Sequence, residues 1–180
     1  MTTSELQKLK YPIGEFVKPN IITKQQIENW ISDIENFPAS VEESVMYLDE
    51  KELNYIYRPD GWTIKQVVHH CADSHMNSII RFKLALTEDT PTIRPYFEDR
   101  WAKLIDYSDA IDAPIQILKG VHYKLGLLLR GLDEDDLKRK FIHPEHGKRF
   151  SIEETIGIYA WHSNHHLAHI KQALKYKEQF

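Results

Sequence analysis

The sequence predicts an all-α protein, a four-helix bundle with a long loop between its second and third helices. Three observations carry this reading. Four segments repeat apolar residues at helical spacing, capping signals stand ahead of three of them, and no set of strand patterns competes.

Residues 1–22 hold Pro12, Gly14 and Pro19 and no periodic pattern, so they read as an irregular N-terminal arm. The first bundle helix opens at Thr23, with Gln26 in capping-box position, and runs to about Leu48. Ile27, Trp30, Ile31 and Ile34 share one face, and Val41, Val45 and Leu48 resume it beyond Pro38. That proline should end or kink the helix. Pro59, Asp60 and Gly61 form a turn, after which Thr63 and Gln66 repeat the capping box. The second helix carries Ile64, Val67, Val68, Cys71, His75 and Ile79 at helical period and lasts to about Leu86.

Residues 87–112 contain Pro91, Pro95 and the aromatics Tyr96, Phe97, Trp101 and Tyr107. Only Glu98 to Ile105 fits a short helix there, and a connection this long often carries function. The third helix spans Ala113 to Leu132, with Pro114 suited to its first helical position, N1, and Gly131 as its stop. Ile115, Leu118, Val121, His122, Leu125, Leu128 and Leu129 fall at bundle spacing. Asp133 to Lys140 adds a helical turn, and Phe141 to Phe150, with His143, Pro144, His146 and Gly147, reads as an exposed loop or short hairpin. Ser151, with Glu154 three residues on, opens a last helix that runs to about Lys177. No repeat or linker divides the chain, so residues 1–180 read as one domain with room for a core.

Charge and composition exclude several function classes. A net charge of −4, with no Lys/Arg block, argues against a nucleic-acid partner and against an anionic membrane surface. No apolar run approaches the length of a membrane span, and Met1 to Lys10 lacks the apolar stretch of a signal peptide. The lone Cys71 forms no internal disulfide, which is compatible with a reducing compartment.

The unusual feature is ten histidines, most of them in two groups: His69, His70 and His75, then His162, His165, His166 and His169. His162 and His166 lie one helical turn apart, so both rings project from one face and can meet one ion. Ser163, Asn164 and His165 separate them, with no Glu to serve as a base, so the zinc-protease motif does not apply. A third ligand should come from a facing helix. His69 and His70 point about 100° apart, and spacing does not choose between them. His75 is a further candidate, displaced around the helix. Three neutral imidazoles would leave a coordination position open for water or substrate, as in catalytic zinc sites, and nickel, iron, manganese or cobalt would suit the same donors. A buried polar histidine network fits the spacing equally well.

Two stretches carry a family resemblance. Gly61-Trp62-Thr63-Ile64-Lys65-Gln66-Val67-Val68-His69-His70-Cys71-Ala72-Asp73 and Trp161-His162-Ser163-Asn164-His165-His166-Leu167-Ala168-His169 are similar to the DinB/YfiT-like superfamily. Tyr11-Pro12-Ile13-Gly14-Glu15 and Ile93-Arg94-Pro95-Tyr96 resemble its bacterial YfiT branch, assigned to metal-dependent hydrolases. The resemblance covers nearly the whole chain. It implies a bundle of the DinB/YfiT type holding one divalent ion per subunit, zinc or nickel, on His70, His162 and His166. It also implies a cytoplasmic homodimer acting on a small molecule. Asn164 departs from the pattern where a further His is expected, but it is not a ligand position.

Three functions suit such a site. One is a hydrolase that activates water. Another is a metal-dependent S-transferase using a small thiol such as bacillithiol, since a metal-bound thiol is readily deprotonated. The last is a non-catalytic stress or binding module that the metal stabilises. No catalytic acid or base can be assigned. Asp73 could orient an imidazole or pair with a neighbour, while Arg94, Tyr96 and Trp101 could line a pocket mouth or pack the loop onto the bundle.

Overall fold

The computed structural model describes residues 2–145 and 147–180; Met1 and His146, the latter read with the exposed loop, lie outside the described residues. In chain order the elements are α1 (Thr3–Lys10), α2 (Lys24–Val45), α3 (Glu50–Leu53), α4 (Ile64–Thr87) and α5 (Glu98–Trp101). A 3-10 turn at Ile105–Ser108 then precedes α6 (Asp112–Arg130), α7 (Glu134–Lys138), strands β1 (Lys140–His143) and β2 (Lys148–Ser151), and α8 (Ile152–Tyr176).

Four long helices, α2, α4, α6 and α8, build the bundle. α2 packs on α6 and α8, and α4 packs on the same two, so the diagonal pairs are α2–α4 and α6–α8. The predicted caps are in place: Thr23 with Gln26 and Thr63 with Gln66 form reciprocal capping boxes, and the Ser151 hydroxyl accepts from the Glu154 amide. The α6 start is different, because Ile111 stands at the cap position without a side-chain hydrogen bond.

One expectation needs correction. The arm is not wholly irregular: Thr2 and Glu5 form a capping box that opens α1. Beyond α1 the arm lies along α8, where the indole Nε1 of Trp161 donates to the Gly14 carbonyl at 3.0 Å. Gly14 has a φ of 76°, a left-handed turn that favours glycine. Of the two outcomes expected at Pro38, an end or a kink, the end does not occur, and α2 continues to Val45. Proline has no N–H, so the Ile34 carbonyl one turn earlier loses its helical donor.

The long loop holds α5 and the 3-10 turn, and β1 and β2 pair antiparallel as a hairpin, Lys140 with Ser151 and His143 with Lys148. The apolar interior falls into two clusters. One gathers Phe37, Val41, Val67, Cys71, Leu118 and Ile170; the other gathers Ile31, Ile34, Phe82, Leu125, Ile156 and Tyr159. Along α6 and α8 the residues between the two clusters include His122 and His162 to His169.

Candidate metal centre

Eight of the ten histidines lie on α4, α6 and α8; His75, His122 and those of α8 fall between the two apolar clusters, while His69 and His70 sit beside the first. Seven of them are buried: His69, His70, His75, His122, His165, His166 and His169. Buried imidazoles need hydrogen-bond partners or a metal, so each ring's surroundings matter.

His70, His162 and His166 converge, with one nitrogen from each ring lying within 4.8 Å of the others. Nε2 of His70 is 3.3 Å from Nε2 of His162. Two nitrogens bound at 2.0–2.1 Å to one tetrahedral ion would stand about 3.3 Å apart, so this spacing suits a shared ion. Burial, with the neighbouring His165, pulls the His70 pKa down to about 4. Burial and the surrounding imidazoles hold His162 and His166 well below the usual histidine range. All three are therefore neutral near pH 7, the form a metal ligand requires. The donor set fits a divalent ion.

The pair His69/His70, which spacing could not separate, is separated by the helix. His70 turns into the cluster, against the Trp62 ring at 4.7 Å. His69 turns away to stack on Tyr107, with its Nε2 3.4 Å from the Asp109 carbonyl. Asp73 takes no imidazole; it accepts from the Tyr107 hydroxyl at 2.6 Å and anchors the long loop. Cys71 is buried in the apolar core, and burial pushes its thiol pKa up, as for an inert small residue.

The other histidines surround the cluster. Nδ1 of His162 lies 3.0 Å from Nε2 of His75, whose Nδ1 lies 2.6 Å from Nε2 of His122. His166 faces His169, Nδ1 to Nδ1, at 3.4 Å, and Nε2 of His169 donates to the Lys10 carbonyl at 3.1 Å. His169 also stacks on Tyr57 with ring centroids 3.8 Å apart. His165 stacks on Trp161, and Asn164 donates to Asp33 on α2 at 3.0 Å.

A cleft of about 820 Å³ is lined by His70, His162 and His166. Arg81 and Tyr159 line it too, and the Arg81 guanidinium donates to the Tyr159 hydroxyl at 3.1 Å. Burial pushes the Tyr159 phenol pKa up, so it stays protonated. The long loop contributes Glu98 and Asp99 to this lining, while Tyr96 and Trp101 pack on one another at 4.5 Å. The hairpin adds Phe141, His143 and Phe150. Nothing in spacing or periodicity marks Glu98, Asp99 or Arg81, because their place depends on how the loop and hairpin cross the bundle.

A four-helix bundle with three histidines converging beside a cleft defines the class, and the comparisons give it a family. The DinB superfamily model matches residues 34–170, and the chain belongs to that superfamily. It is 47% identical over 169 residues to a protein of Oceanobacillus iheyensis and 46% identical over 170 residues to one of Bacillus cereus, covering 94% of this chain and 98% of each relative. Both carry the name "putative metal-dependent hydrolase". The structure superimposes on YfiT from Bacillus subtilis, described as a probable metal-dependent hydrolase with an unusual four-helix bundle topology. The TM-score is 0.91 at 43% identity, over 94% of this chain and 98% of YfiT. A mycothiol-dependent maleylpyruvate isomerase shares the fold, with a TM-score of 0.64 at 16% identity over 80% of this chain and 60% of its own.

Proposed function

We propose that the chain is a hydrolase of small molecules whose divalent ion, zinc or nickel, is held by His70, His162 and His166, one per subunit. The observation that carries this reading is the convergence of three neutral imidazoles in the wall of the 820 Å³ cleft. Clefts of this size accommodate a small ligand, and a site that only stabilised the bundle would have no need of one. The ion would supply Lewis acidity toward water or a substrate oxygen. Within the cleft, Arg81 and the Tyr159 hydroxyl can hold an anionic or carbonyl oxygen, while Glu98 and Asp99 are the carboxylates available to move a proton. The relatives' hydrolase names support the same class. A cytoplasmic homodimer, implied by the family resemblance, belongs to this proposal; no helix among the described residues is long and apolar enough to cross a membrane.

The test is metal analysis of the purified protein beside His70→Ala and His162→Ala, with hydrolysis measured on a panel of small esters, amides and phosphoesters. One ion per wild-type chain, lost from both variants together with hydrolysis, is the expected result. Full occupancy in either variant would remove that residue from the ligand set. Turnover of electrophiles only when a small thiol is added would replace hydrolysis by S-transfer.

A further inference from the structure

We propose that His75 and His122 are positioning residues for His162: a relay from the Ile34 carbonyl through His122 and His75 locks His162 with its proton on Nδ1, leaving the Nε2 lone pair facing His70 and His166. The relay begins at the proline that α2 runs through. Pro38 has no N–H to give to the Ile34 carbonyl. That carbonyl instead meets Nδ1 of His122 at 2.5 Å. A carbonyl only accepts, so the proton on His122 is on Nδ1. A neutral ring carries one proton, so Nε2 of His122 accepts from Nδ1 of His75. Nε2 of His75 then accepts from Nδ1 of His162, and Nε2 of His162 is left as a bare lone pair.

The opposite assignment fails on contact chemistry. A proton on Nε2 of His162 would require one on Nε2 of His75. Two lone pairs would then face each other across 2.6 Å between His75 and His122. Charging one ring to avoid this would place an imidazolium among Phe37, Tyr159 and the apolar core, with His75 and His122 each only 1% exposed. Phe37, next to Pro38 on α2, packs on both rings, at 5.4 Å from His75 and 5.5 Å from His122. The same helical segment therefore supplies the terminal acceptor and the wall that holds the relay. Partners of this kind fix the tautomer and orientation of a metal-binding imidazole, and removing one costs about 10–100-fold in metal affinity.

The proposal rests on His162 being a ligand, so the experiment separates the two. Imidazole ¹H–¹⁵N correlation spectra of the metal-free wild-type protein should show His162, His75 and His122 all protonated on Nδ1 and bare on Nε2. A protonated Nε2 on His162 would overturn the relay whether or not metal binds. Zinc titration against a chelating indicator then compares wild type with His75→Phe and His75→Gln. Phenylalanine fills the space without hydrogen bonds, and zinc affinity should fall about 10–100-fold. Glutamine can donate to His122 and accept from His162, and should keep affinity within about fivefold of wild type. Equal affinity in the two variants would overturn the positioning role. If His75→Phe does not fold, His122→Phe breaks the relay one ring further back, and an unchanged His162 spectrum in that variant would overturn it equally. Wild-type protein that binds no zinc would refute the ligand reading and leave the spectrum to decide the relay.

Discussion

His162 and His166 lie one turn apart on α8, yet they are backed by different parts of the molecule. Behind His162 stand His75 and His122, both buried, ending on a carbonyl that Pro38 has freed in the bundle's centre. Behind His166 stands His169, ending on the Lys10 carbonyl at the close of α1. One support is part of the core; the other is lent by the N-terminal arm. His70 differs again, since its buried Nδ1 has no hydrogen-bond partner among the described residues and its ring is held by packing on Trp62. The three proposed ligands are thus held by three unequal means: a core relay, a peripheral clasp and an aromatic wall.

The largest effect should erase that inequality. His162→Ala and His166→Ala each remove one of three nitrogens, and zinc affinity should drop by more than about 100-fold in both, measured by competition with a chelator.

Acid comes next, and it strains all three supports, since burial lowers the pKa of His122, His70 and His169 alike. Burial holds His122 and His70 down to about 4 in the folded protein, whereas an unfolded chain takes these protons near 6.5. Folded-state values lie below unfolded ones. The stability these neutral rings contribute is therefore complete above pH 6.5 and lost as pH falls toward 4. Each such ring accounts for on the order of 3 kcal/mol, so two are comparable to a large part of a typical domain's stability. Thermal melts of the metal-free protein should fall steeply between pH 6.5 and 4 and stay level above pH 7.

Removing residues 1–14 tests the peripheral support. His169 would lose the Lys10 carbonyl, and zinc affinity should weaken by about fivefold, less than for His75→Phe. The imidazole spectrum of His162 should not change, because nothing in its relay touches the arm. The smallest effect belongs to Pro38→Ala. The restored N–H gives the Ile34 carbonyl a second donor, so the His122 contact should loosen rather than break, with zinc affinity down by about threefold.

The bundle was legible because its information is local. Thr23 with Gln26, Thr63 with Gln66 and Ser151 with Glu154 announce three helices, and apolar spacing fixes the inward faces. The Thr2–Glu5 box announces α1 in the same code, but Pro12, Gly14 and Pro19 made the arm look irregular as a whole. The α8 histidine pair was legible for the same local reason. Its partner on α4 needed the family resemblance, since His69 and His70 differ only in where the helix turns them. His122 gave no sign of a role: it sits at an ordinary bundle position, and its partners are 47 and 88 residues away. Pro38 looked like a defect in α2 and is better understood as the source of an unclaimed carbonyl.

His70, His162 and His166 are proposed to hold one divalent ion, with His162 presenting Nε2. The most direct measurement is a crystal structure of the zinc-loaded protein with anomalous scattering recorded at the zinc edge. One peak per chain is expected at about 2.0–2.1 Å from a nitrogen of each ring, with His162 bound through Nε2 and its Nδ1 still facing His75. A peak elsewhere in the chain, or an ion bound through Nδ1 of His162, would contradict it.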